Sequence, residues 1–196
     1  MANRSEPYSL SPAIQRVSTA LRLTGWISFW SQLVLAVISA VVLLFAGASF
    51  GAAATNPATA GGGVNPGTGA GLFLAVLGLL ALFGGAFWAF RYTRYSRQLR
   101  LAGQNRPKRG DVLQLLRFGL LTNLIGMLLT ILGAQAIVGS LVAKSFAQGV
   151  GIFTGNFQRF INPLDIFLVQ ANTNTIMAHF IGVVATLWIL RAVNRP

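Results

Sequence analysis

The side chains able to do chemistry in this chain are few, and most of them lie in one apolar segment. There is no cysteine, His179 is the single histidine, and Glu6, Asp111 and Asp165 are the only carboxylates. Disulfide frameworks, thiolate metal sites and cysteine nucleophiles are thereby excluded together, and one histidine cannot build a multi-histidine cage within one chain. General acid and base work needs two or more titratable groups close together, so the composition argues against an enzyme and implies no cofactor. What remains is the run QANTNT, Gln170 to Thr175, inside an otherwise apolar stretch. At about 100° per residue, Asp165, Asn172, Thr175, His179 and Thr186 share one narrow stripe. It is about 31 Å long at 1.5 Å per residue, which is the depth of a bilayer core. Intramembrane polar groups cost free energy unless partnered, which makes them functional candidates. Two readings are open: these groups hydrogen-bond to Gln32, Asn123 and Thr130 and hold the bundle together, or they line a solvated or cargo-contacting groove. Asp165 and His179 lie about 21 Å apart along a straight helix and cannot share one ion. Any metal site would need other spans or subunits, and its ligands stay unknown. Gln170 and Asn174 fall on the opposite side, which puts this helix at the centre or at a subunit interface.

The elements that must hold these residues follow from composition. Of 196 residues, 54% are hydrophobic and only 9% charged, against about a quarter charged in soluble domains. The net charge of +12 sits in a lipid-like sequence, so basic loops of a membrane protein explain it and no nucleic-acid partner is expected. Four stretches reach the roughly 20 apolar residues of a membrane-crossing helix: about 23–47, 71–90, 118–142 and 166–190. Trp26, Trp30, Trp88, Tyr92, Tyr95 and Trp188 mark their ends as interfacial belts. The fold class predicted is all-α, a polytopic four-helix membrane bundle.

Sidedness follows from the cations, because Lys and Arg are retained on the cytoplasmic side. Arg4, Arg16 and Arg22 precede the first span; Arg91, Arg94, Arg97, Arg100, Arg106, Lys108, Arg109 and Arg117 lie between the second and third; Arg191 and Arg195 follow the fourth. The other two connections hold only Lys144 and Arg159. Both termini are therefore expected in the cytoplasm, with residues 1–22 an N-terminal segment, 23–190 the membrane domain and 191–196 a tail. Ser11-Pro12 opens a short amphipathic helix, Ala13 to Leu21, expected on the membrane surface. Ser49 to Ala70, rich in glycine and proline, is expected to be a mobile loop on the other face. The first span is too long for a signal-peptide core, and no transit peptide is expected before it.

Membrane helices associate through small and polar residues, which identifies their inner faces. Gly25, Ser28, Gln32, Ala36 and Ser39 share a stripe in the first span. Gly71, Ala75, Gly78 and Gly85 do so in the second, and Gly119, Asn123, Gly126, Thr130 and Gly133 in the third. The stripes fit either ordinary packing, with Gln32, Asn123, Thr130, Gln170 and Asn174 as polar packing groups, or a permeation path. The basic connection can contact anionic headgroups or an acidic partner through Arg91, Arg94, Arg97, Arg100, Arg106, Lys108 and Arg109. Because Arg91, Arg94, Arg97 and Arg100 step by three, they spiral around a continued helix, which predicts no single binding face. Asn105-Arg106-Pro107 ends that helix.

Nucleotide-binding and zinc-protease motifs are absent from the sequence. The segment NPLDIFLVQANTNTIMAHFIGVVATLWILR, Asn162 to Arg191, resembles the C-terminal signature of the family containing the twenty-one-kilodalton subunit of the chloroplast inner-envelope translocon, also described as a chloroplast iron permease. The residues that carry the resemblance are Asp165, Gln170, Ala171, Asn172, His179 and Leu187 to Arg191; elsewhere it rests on length and four-span layout. Without a transit peptide the chain looks like a cyanobacterial member. The resemblance implies a transport role, either iron uptake or assistance to protein import, and transfers no catalytic residue. The alternative is a non-transporting accessory subunit of a larger, for instance photosynthetic, membrane complex. Expected partners are membrane lipid and either further copies of the chain or other subunits, in a bacterial plasma or thylakoid membrane.

Overall fold

Proline starts three of the four helices. Pro12, Pro66 and Pro163 each occupy the first helical position, where the missing N–H is not needed and the fixed φ already suits the helix. The structure is a computed structural model that describes residues 11–55, 66–101, 107–154, 161 and 163–195. Its elements are α1 (Pro12–Thr55), α2 (Pro66–Arg100), α3 (Arg109–Thr154) and α4 (Pro163–Asn194). α3 is started differently: the Asp111 carboxylate reaches back to accept from the Lys108 backbone N–H at 2.9 Å, half of a capping box. Each helix contains a stretch long and apolar enough to cross a bilayer.

The helices run up, down, up and down, each beside its chain neighbours, with α1 also against α4 and α2 touching α4 across one diagonal. α1 and α3 face each other across the other diagonal, bridged by a Gln32–Asn123 hydrogen bond. Small residues permit the close approaches. A Cβ on Gly133 would stand 2.9 Å from the Gly71 carbonyl oxygen and 3.0 Å from the Ala75 nitrogen, so α2 and α3 meet backbone to backbone there.

The bundle turns its polarity inside out. Leu44, Phe45, Phe73, Leu80, Ile166 and Trp188 are largely exposed, whereas Ser28, Gln32, Ser39, Asn123, Thr130, Asn172, Thr175, His179 and Thr186 are buried. A soluble bundle does the opposite; this arrangement suits acyl chains outside and hydrogen-bonded groups within. The chain is a multi-pass membrane protein.

Three expectations change. The helices extend beyond the apolar spans: α1 continues to Thr55 and α2 already begins at Pro66. Only 56–65 of the expected Ser49–Ala70 loop is left, and it lies outside the described residues. Ala13 to Leu21 is no separate surface helix but the start of α1. Leu21 is fully buried among Tyr92, Leu99 and Leu116, and the Ser96 hydroxyl donates to the Ser18 carbonyl at 2.8 Å. Tyr92, expected at the interface, is only 2% exposed. Arg4, Glu6, the Asn105-Arg106 stop, Arg159 and Asn162 lie outside the described residues.

Candidate functional site

The polar stripe of α4 faces the interior, as Asp165, Asn172, Thr175, His179 and Thr186 are all buried. It is met by groups from the other three helices to form a column. At one end Lys144 Nζ donates to both Asp165 carboxylate oxygens, at 2.9 and 2.8 Å. The Ser39 hydroxyl donates to the Ala171 carbonyl at 3.0 Å. At the arginine-rich end the Tyr92 and Thr186 hydroxyls lie 3.2 Å apart.

Between these ends all four helices converge on His179. Gln32 Nε2 donates to Asn123 Oδ1 at 3.0 Å and to the Ala178 carbonyl at 3.3 Å. Asn123 Nδ2 donates to the Gly119 carbonyl at 2.9 Å. His179 Nδ1 lies 3.2 Å from Asn123 Oδ1, and its Nε2 lies 3.1 Å from the Gly78 carbonyl of α2. These bonds fix both amide orientations, since rotating Asn123 or Gln32 by half a turn would set oxygen against the Gly119 or Ala178 carbonyl. Both ring nitrogens thus face acceptors. A neutral imidazole carries one N–H and can satisfy only one of them; an imidazolium satisfies both. Gln32 Oε1 is a buried oxygen with no donor among the described residues, and so is Asn172 Oδ1, about two turns away along α4. The junction holds more acceptors than donors: a further proton would bind at the imidazole nitrogen, whereas its oxygens can coordinate a partly dehydrated cation.

Glycine makes this convergence possible. A Cβ on Gly126 would run into the His179 ring, one on Gly182 into the Gln32 amide nitrogen, and one on Gly78 into the Thr130 hydroxyl. On Gly85 it would stand 2.6 Å from Asn123 Oδ1.

The remaining candidates divide. Asn172 donates to Leu168 O, Thr175 to Ala171 O and Thr130 to Gly126 O, each within its own helix, so none of these bonds crosses to a neighbour. Gln170 and Asn174 bond to each other at 3.1 Å on the outer side of α4, Gln170 exposed and Asn174 half-buried. Asp165 and His179 remain far apart, and among the described residues no three His, Asp or Glu side chains gather to hold a metal ion. Arg91 stacks over Trp88 with its guanidinium carbon 5.3 Å from the ring centroid, and Arg109 donates to Asn194 Oδ1 at 3.0 Å. The backbone of Lys108 serves the α3 start, and Arg106 lies outside the described residues. Arg94, Arg97 and Arg100, expected to spiral away from one another, instead line one cleft with Arg22. The spiral turns only about 60° per three-residue step, and α1 supplies the fourth cation.

A family model described as a protein of unknown function, DUF3611, matches residues 11–194. This chain belongs to the DUF3611 family. It is 36% identical over 189 residues to Protein TIC 21, chloroplastic, of Arabidopsis thaliana, a match covering 93% of this chain and 60% of that relative. The chain therefore spans about 60% of the length of the curated relative it matches. No solved structure matches. The likeness, carried in the sequence mainly by the last span, extends along nearly the whole chain.

In this DUF3611 member, sequence reasoning missed Lys144 as the partner of Asp165, Tyr92 as an interior group, and the Ser18–Ser96 pair. The register of α4 against α3 could not be read, so Lys144 stood out only as a rare cation in its connection. Ser18 and Ser96 lie beyond the apolar spans, where small polar residues give no signal.

Proposed function

We propose that this protein is a membrane transport protein and no enzyme, with a small cation as cargo and iron the candidate that the family resemblance suggests. The observation that supports it is the His179 junction, where Gly78 O and Asn123 Oδ1 flank one imidazole and the Gln32 amide bonded to Asn123 carries an undonated Oε1. An oxygen left without a donor in a low-dielectric core is costly, and a cation passing beside it would offset that cost. Assistance to protein translocation, the other role carried by the resemblance, fits less well. A bundle whose interior has no room for a methyl group at Gly78, Gly126 or Gly182 would have to come apart to admit a polypeptide. On this reading the packed column is the closed state of the route. Asp165 with Lys144 gates one end, while Asn172, Thr175 and His179 line the path.

On this reading the membrane is a bacterial plasma or thylakoid membrane, and both termini and the arginine-rich connection lie on its cytoplasmic side, a sidedness that thirteen of the fifteen cations support. Ferrous iron uptake into proteoliposomes holding the full chain is the test. Uptake should exceed that of empty vesicles and fall about tenfold in His179→Ala, equivalent to losing roughly 1.4 kcal/mol. Uptake no greater than in empty vesicles would remove the permease reading.

A second reading rests on a separate observation. The Gln170–Asn174 pair sits on the outer side of α4 at membrane depth, where acyl chains offer no hydrogen bond. This favours a neighbour against α4, either a second copy or another subunit of a larger complex for which this chain is an accessory. Purification in mild detergent should recover fixed partners if the accessory role holds; recovery of a homo-oligomer alone would set it aside.

A further inference from the structure

The largest concentration of charge outside the polar column is the cleft between α1 and α2 at the arginine-rich end, with a volume of about 960 Å3. Four arginines line it, Arg22 from α1 and Arg94, Arg97 and Arg100 from α2. The rest of its lining is largely apolar, with Leu23, Trp26 and Phe90. Arg100 is anchored across the cleft, with Nε donating to the Ser18 hydroxyl at 2.6 Å and a terminal nitrogen to Thr19 Oγ1 at 3.4 Å. Arg22, Arg94 and Arg97 make no ion pair among the described residues, because Asp165 is held by Lys144 and Asp111 serves the α3 start.

The division of this cleft follows the membrane. Leu23, Trp26 and Phe90 fall at the ends of the apolar stretches, and the arginines lie just beyond them. Trp26 is 48% and Leu23 62% exposed, continuous with the outer surface that faces lipid. We propose that the cleft is a binding site for one anionic phospholipid, its phosphodiester seated among Arg22, Arg94, Arg97 and Arg100 and an acyl chain lying along Leu23, Trp26 and Phe90. Guanidinium groups recognise phosphate oxygens through paired N–H donors. A soluble anion would use only the cationic half, whereas an amphiphile uses both. The inference does not depend on whether the chain transports anything.

The test is native mass spectrometry of the full chain in neutral detergent, offered phosphatidylglycerol or phosphatidylcholine. The wild type should retain one phosphatidylglycerol per chain and lose phosphatidylcholine, and excess inorganic phosphate should not displace the bound lipid. Arg94→Gln with Arg97→Gln should weaken retention roughly thirtyfold, and Arg22→Gln on the opposite helix about fivefold, from the attraction each cation contributes near a membrane surface. Arg117→Gln with Arg191→Gln removes the same charge outside the cleft and should leave retention unchanged. The proposal is overturned if that control pair weakens retention as much as the cleft pair, if phosphatidylcholine is held equally well, or if inorganic phosphate competes the lipid away.

Discussion

At the scale of residues, the chain's sparse chemistry is concentrated by packing. Lys144 and Asp165 are 19% and 6% exposed in their side chains, so breaking this pair from one side strands a charge. Lys144→Met should cost about 2 kcal/mol, and adding Asp165→Asn should restore most of it. Denaturation of the single and double variants in detergent micelles measures the difference; two additive losses would mean the ions do not act as a pair. The candidate residues were partly legible beforehand. The inward stripe of α4 followed from helical period alone, because its polar positions repeat on one face, where Leu168, Ala171 and Ala178 are buried beside them. The partners were not legible: that His179 meets Asn123 and Gly78 rather than Thr130 depends on how far each helix slides along its neighbour, which no single-chain pattern encodes.

At the scale of elements, the glycine and serine stripes in α1, α2 and α3 all proved buried, because small residues in an apolar span serve close approach more than flexibility. The helix ends were less legible. Glycine and proline suggested breaks at Ser49–Ala70, yet backbone hydrogen bonding carried α1 and α2 past the apolar spans, and Pro66 starts a helix as readily as it stops one. The same glycines give substitutions of opposite sign. Gly182→Ala would push a methyl group into Gln32 and to 2.6 Å from Asn123 Cγ, and should destabilise by about 1–3 kcal/mol. Gly139→Ala, with nothing within 4 Å of the added carbon, should stabilise by up to about 1 kcal/mol through helix propensity. Thermal unfolding of both in the same detergent gives the comparison, and equal shifts would show that packing at Gly182 is looser than described.

At the scale of the whole molecule, the four-span layout was legible because a bilayer fixes the length of each apolar run and the cations sort the loops. What the sequence did not carry is that two separate features share one bundle: an interior column with surplus acceptors, and an arginine-lined cleft open to the side. The account turns on the column being a route for cations. Because His179 is the single histidine, a chain grown with isotope-labelled histidine gives one imidazole signal in bilayers. Nitrogen NMR before and after addition of paramagnetic ferrous iron reads that residue directly. Broadening of the His179 ring signals at iron concentrations that support uptake is the result expected. Sharp, unshifted signals while iron enters the vesicles would place the route elsewhere and contradict the account.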